Sequence, residues 1–158
     1  MNYFFLKKDF TVLQERIVEL SEKIKAAGRE AGESCSQSSE TWHDNFGLEE
    51  AQRQQATLSK ALRDLLAIKN DARLIVPQKK HVESLVVAIG RNIMIRNVDT
   101  KEIKSFVIGS YMVLDQTSSN EVSYNAPLIS PFMGAIKGEH RELLLHGEKL
   151  EFEILEVT

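Results

Sequence analysis

Two heptad seams whose side chains shrink toward one another constrain this 158-residue chain more than any other feature. The first runs Leu13, Ile17, Leu20, Ile24, Ala27, Ala31 and Ser34. Alternating steps of four and three residues keep these positions on one stripe of a helix. The second runs Leu48, Ala51, Gln55, Leu58, Leu62 and Leu65, small or polar first and large later. Paired antiparallel, the two seams set Leu against Leu at one end and Ala against Ala at the other. The spacing predicts a helix of about 29 residues and a second of about 25, roughly 43 and 37 Å long. They are separated by a break at Ser39 to Phe46. The same heptads would also suit a coiled coil between two copies of the chain. The mirrored gradient and the short turn favour a hairpin within one chain, and a monomer.

The punctuation changes at Pro77. No proline precedes it, and only Gly28, Gly32 and Gly47 do among the glycines; the other two prolines and five glycines follow. Such a shift marks two architectures. We therefore expect a helical hairpin over residues 1–76, with its tip at about 39–46, and a β-rich domain over 77–158. In the second half Leu85 to Ile89 is an apolar run, and Arg91 to Arg96 alternates as a half-buried strand does. Phe106 to Ile108 is another apolar run. Residues 125–134 hold two prolines and a glycine, enough for a short helix or turn. His146-Gly147 suits a hairpin turn, and Leu150, Phe152 and Ile154 alternate with glutamates in a last strand. The expected class is α+β, with a small antiparallel sheet wrapped on a short helix.

Composition narrows the function. Hydrophobic residues make up 42% and charged residues 27% of the chain, the balance of a folded domain. A net charge of -3 argues against general nucleic-acid binding, so any contact with RNA or DNA is local or comes through a partner. Cys35 is the sole cysteine, which excludes a disulfide framework and a thiolate zinc site. The run Tyr3 to Leu6 is too short for a signal peptide, and nothing reaches the length of a membrane span. A cytoplasmic protein without membrane contact is expected.

Several motifs, in order, resemble the Gre family of bacterial transcript cleavage factors. Ser123, three residues, Pro127, six residues and Gly134 resemble a characteristic family run. Lys137-Gly138-Glu139 is similar to its glycine-acid turn, and Glu151 to Val157 to its closing strand. In the hairpin, Asp44-Asn45 resembles the Glu-Asn that follows the family's tip, and Gln54-Gln55 sits where a glutamine pair often occurs. The resemblance implies an FKBP-like second domain that grips the rim of the RNA polymerase secondary channel. It also implies a hairpin whose tip reaches the polymerase active site and the RNA 3′ end. Two tip acids three residues apart would then share a magnesium with the polymerase, which cuts backtracked RNA with its own active site. The factor is thus an accessory protein, not itself an enzyme, and carries no cofactor of its own.

The chemistry suits those residue types. Magnesium is a hard cation that keeps several waters, so one or two added carboxylates suffice. Two metals clamp the attacking and leaving oxygens of a phosphoryl displacement. The chain departs from the pattern at the tip. Asp44 supplies the second acid, but Thr41 stands where the first is expected, with Glu40 one residue earlier. A neutral hydroxyl lacks the charge that draws magnesium, so polymerase binding carries over better than cleavage.

Asp44 and Glu40 are therefore the candidate catalytic carboxylates, with Asp44 the candidate metal ligand. Thr41, Trp42, Asn45, Phe46 and Arg53, together with Pro127, Phe132 and Met133, are the candidate partner contacts. Each has a plainer alternative. Trp42 can fold back to cap the hairpin, and His43 can be simply solvated. Asp44 and Asn45 can cap the second helix. Arg29 and Arg53 can be ordinary solvated helix charges, Gln52 filling the position where the family often has arginine. The apolar residues between Pro127 and Gly134 can be core, above all Leu128 and Ile129. Two other function classes stay open: an FKBP-like peptidyl-prolyl isomerase or chaperone, and a structural coiled-coil dimer.

Overall fold

The computed structural model describes residues 2–37, 46–76, 86–114, 120–145 and 147–158, and their side chains except those of 34–37, 46 and 145. The element order is β1 (Tyr3–Leu6), α1 (Lys7–Gln37), α2 (Phe46–Asn70), β2 (Ala72–Ile75), β3 (Asn92–Asn97), β4 (Ile103–Gly109), β5 (Glu121–Ser123), a 3-10 turn at Ser130–Phe132, β6 (His140–Leu145) and β7 (Glu148–Val157). This is the α+β class expected. Contacts divide the chain into a helical unit, Thr11–Asp71, and a β unit made of Met1–Phe10 and Ala72–Thr158.

In the helical unit the described side chains on both heptad seams are buried or half-buried, while most positions between them are exposed. Leu13, Ala27 and Ala51 are the most deeply buried of them. Gly28 lies opposite Gln55, where an added Cβ would stand 3.5 Å from the amide nitrogen. Gly28 is nine residues before the end of α1 and Gln55 nine after the start of α2. The two helices therefore pair as an antiparallel hairpin. Ala27 and Ala51 are the small residues on the buried stripes, where the seams carry no bulky side chain.

The β unit contains a strand that the sequence reading did not anticipate. β1 pairs in parallel with β2, Tyr3 opposite Ala72 and Leu6 opposite Ile75, so the two strands bracket the helical pair in sequence. α1 starts at the residue after β1, with no linker. The second sheet has the order β5-β4-β3-β7-β6. Three of its pairings are antiparallel, but β4 and β5 run parallel, which makes the sheet mixed where a purely antiparallel one was expected. Ile93, Ile95, Ile108, Leu143, Phe152, Ile154 and Val157 of the strands pack with Ile129, Phe132 and Ala135 into one core.

Local chemistry explains the departures from simple alternation. In β7, Ile154 and Val157 are both buried although they are three residues apart. The register against β3 slips there, Ile95 facing Ile154 and Met94 facing Glu156, so Leu155 is the extra residue of a bulge and the buried face shifts by one. Of the apolar run before Gly90, the described residues 86–89 do not enter the sheet. Val87 donates its N–H to Ala135 at 2.8 Å and accepts from Gly134 at 2.9 Å, so its backbone is satisfied by a loop, and only Val86 forms an isolated bridge, with Ile136. Asn97 is buried and accepts at Oδ1 from the backbone of Asp99 and Thr100, both at 2.9 Å, closing the turn into β4. Gly147 follows β6 at φ 88°, the left-handed conformation a tight hairpin needs.

A polar cluster fixes β1 and the first turn of α1. Asp9 is fully buried. It accepts the Ser110 hydroxyl proton and, at 3.0 Å, the Leu114 N–H. Ser110 in turn accepts the Leu6 N–H at 2.8 Å, and Tyr111 donates its N–H to Phe4 at 2.9 Å. Beside it Lys8 pairs with the buried carboxylate of Glu121 at 2.5 Å. Replacing Asp9 by alanine strands donors in a site with no room for bulk water. Asp9→Ala is expected to cost roughly 2–3 kcal/mol, read as a lower urea midpoint with an unchanged slope. On the hairpin, Ala51→Leu is expected to cost about 1–3 kcal/mol by overpacking. The same change at exposed Ala56 should stay within about 0.5 kcal/mol. Equal effects at the two positions would mean that Ala51 does not face α1.

Candidate functional site

Candidate residues from the sequence fall on the two units, and the structure treats the two sets differently. At the hairpin end, Glu40, Thr41, Trp42, His43, Asp44 and Asn45 lie outside the described residues, and so does the Phe46 side chain. Arg53, on the second turn of α2, is exposed and pairs with Glu50 three residues earlier. Gln54 also donates to Glu50, at 3.2 Å. The Arg53 cation is thus shared with a helix carboxylate, as the plainer reading has it. Similar pairs run along α1, where Lys23 holds the Glu19 carboxyl below its usual range and Lys25 does the same for Glu22, each mainly through a side-chain hydrogen bond. Among the described residues no group of three or more acids, histidines or cysteines is placed to hold a metal ion.

In the β unit the segment between Ser123 and Gly134 is a shaped loop. Ser123 contacts the Ser110 and Tyr111 carbonyls at 2.7 and 2.8 Å and Asn125 at 2.6 Å, so its hydroxyl is committed to the fold. Gly134 has φ 77°, a turn conformation that favours glycine. Pro127 is exposed and Leu128 half-buried, while Ile129 is fully buried. Phe132 corrects its assignment as a partner contact. Its ring is 0% exposed and stands edge-on to Phe152 at 6.0 Å, so it belongs to the core and has no surface to offer. Met133 is half-buried and faces a cavity.

That cavity, of about 490 Å³, is a concave feature of the β unit that the sequence did not reveal. Phe4 of β1 and Ile75 and Val76 at the end of β2 form one part of its wall. Val86, Ala88, Ile89 and Arg91 form another, and Tyr124 and Met133 complete it. The lining is almost wholly apolar and comes from segments up to 129 positions apart, from Phe4 to Met133. No periodicity links such residues. The apolar runs Tyr3 to Leu6 and Leu85 to Ile89 stand out in the sequence, but nothing in it shows that they share a wall. Val76, part of that wall, is itself 84% exposed.

No helix among the described residues is long and apolar enough to cross a membrane. No family profile and no curated protein matches the chain. Among solved structures it is similar to Gfh1, a GreA factor homolog of Thermus thermophilus, at 18% identity over 100% of this chain and 99% of that one, with a TM-score of 0.44. It is also similar to Gfh1 of Thermus aquaticus, at 18% identity over 99% and 97% of the two chains and a TM-score of 0.43. A GreA/GreB transcription elongation factor from Nitrosomonas europaea matches at 25% identity over 70% of this chain and 92% of that one, with a TM-score of 0.41.

Proposed function

We propose that this chain is an accessory factor of bacterial RNA polymerase whose helical pair enters the secondary channel and retunes elongation. One observation carries the reading. The hairpin is built as a thinning rod, with leucine and isoleucine on the seam near Leu13 and only small residues buried at Ala27 and Ala51. α1 runs 31 residues, about 46 Å at the usual rise. Most positions off the two seams are exposed, and the taper suits insertion into a narrow passage. The motif order from Ser123 to Val157 supports the same reading.

Under this proposal the β unit contacts the channel rim, with Pro127 and Met133 on its surface. The tip residues Thr41, Trp42, Asn45 and Phe46 meet the channel interior. The RNA 3′ end is met indirectly. Asp44 and Glu40 would hold a magnesium shared with the polymerase, whose own active site supplies any cleavage. Thr41 weakens that metal site, since a hydroxyl adds an oxygen but no charge. Channel occupancy is therefore the main activity and transcript cleavage the lesser one.

The chain is expected to co-purify with core RNA polymerase and to be displaced by a known Gre factor. A stable dimer in sedimentation, with no affinity for polymerase, would overturn the proposal. On backtracked complexes the wild type is expected to stimulate cleavage far less than a Gre factor. Thr41→Asp should raise cleavage by about tenfold or more, since a metal-bound oxyanion is stabilised by several kcal/mol. Asp44→Ala should abolish that gain while polymerase binding persists.

A further inference from the structure

The apolar cavity of the β unit carries a charge that no described carboxylate neutralises. Arg91 lines it and is half-buried. One guanidinium nitrogen donates to the Val86 carbonyl at 2.8 Å, which fixes the group's orientation. Among the described residues no carboxylate lies within ion-pairing distance of it, whereas Arg96 and Arg141 of the same unit pair with Glu153 and Glu139, each at 2.5 Å. This chain has more acids than bases, 23 against 20, so a lone arginine against an apolar wall is not a by-product of surplus positive charge. A partly desolvated cation without a counter-charge is costly unless a ligand supplies one. The guanidinium fork is also the side chain best shaped to receive a carboxylate.

Tyr124 adds a second donor. Its hydroxyl oxygen accepts the Phe4 N–H at 3.4 Å, which leaves its own proton available. Among the described residues the polar side chains lining the cavity are thus donors, Arg91 and Tyr124, while the rest are apolar. Volume fits as well, because pockets for small molecules run from about 300 to 1,000 Å³. We infer that the cavity binds a small amphipathic carboxylate, its acid on Arg91 and Tyr124 and its apolar tail against Phe4, Ile75, Val86 and Met133. Donors alone select an acceptor-only head group, and the apolar wall selects a hydrocarbon tail.

Calorimetric titration of the full chain with decanoate below its micellar concentration tests this, with decan-1-ol as the uncharged comparator. No polymerase is present, so the outcome is separate from the channel-binding reading. Decanoate is expected to bind saturably at one site and more tightly than decan-1-ol. Arg91→Met, which keeps the length and apolar stem, should weaken decanoate by about tenfold or more, the worth of a hydrogen bond to a charged group. It should leave decan-1-ol unchanged. Ala88→Phe, which fills the cavity, should remove both, and thermal melts of each variant confirm that it is folded. Tyr124→Phe gives an independent readout at the second donor and should weaken decanoate alone. No saturable decanoate binding, equal affinity for the alcohol, or full affinity in folded Arg91→Met would each overturn the inference.

Discussion

The buried carboxylate of Asp9 is the interaction on which the rest of the β unit's N-terminal architecture depends. A strand that becomes a helix without an intervening residue leaves unpaired N–H groups and no slack to satisfy them. From inside the first turn of α1, Asp9 accepts from Ser110 and Leu114 and so ties the connection after β4 to the helix start. Ser110 relays the tie to Leu6 of β1. One side chain thus links the strand, the helix start and the connection, and does so in a site closed to water. Burying a polar group is tolerable only when its oxygens are met in this way.

Around that fixed point the ring contacts of β1 make sense. Tyr3 stacks against Tyr111 with centroids 4.3 Å apart, and Phe5 meets Phe10 and Tyr111 edge-on. These aromatic contacts hold a four-residue strand that its pairing with β2 alone would leave marginal. Phe4 points elsewhere, to Tyr124 and the cavity wall. Alternation along β1 therefore puts Tyr3 and Phe5 among the rings of Phe10 and Tyr111, and Phe4 and Leu6 on the face that packs with the sheet core, where Phe4 also lines the cavity. Gly109 belongs to the same arrangement. A Cβ there would come within 2.6 Å of Val113 and 2.9 Å of Glu121, so the close approach around the Lys8–Glu121 pair requires glycine.

Much of the hairpin was legible because a heptad is a local code. Each seam residue is placed by its distance along one helix, so Leu13, Ala27 and Ala51 could be assigned to a buried face from spacing alone. The closing strand and the turn at Gly134 were readable for the same reason. Phe132 was not. Between two prolines and a glycine its burial depends on how the loop folds over the sheet, and nothing in the run distinguishes a contact from a core ring. The apolar segment before Gly90 misled for a related cause, since β-propensity states that a backbone needs partners but not whether a strand or a loop will provide them.

By itself the amino-acid order determined the helical pair, its taper, the α+β class and the acidic residues placed between the helices. The tertiary structure alone decided that the N-terminal strand joins the β unit, that Leu155 bulges, and that Arg91 faces an apolar cavity with no counter-charge among the described residues. The physical difference is range. Periodicity records what one residue requires of neighbours a few positions away, whereas a cavity wall, a bulge register or a buried carboxylate is satisfied by atoms a hundred residues distant, whose arrival only the folded chain arranges.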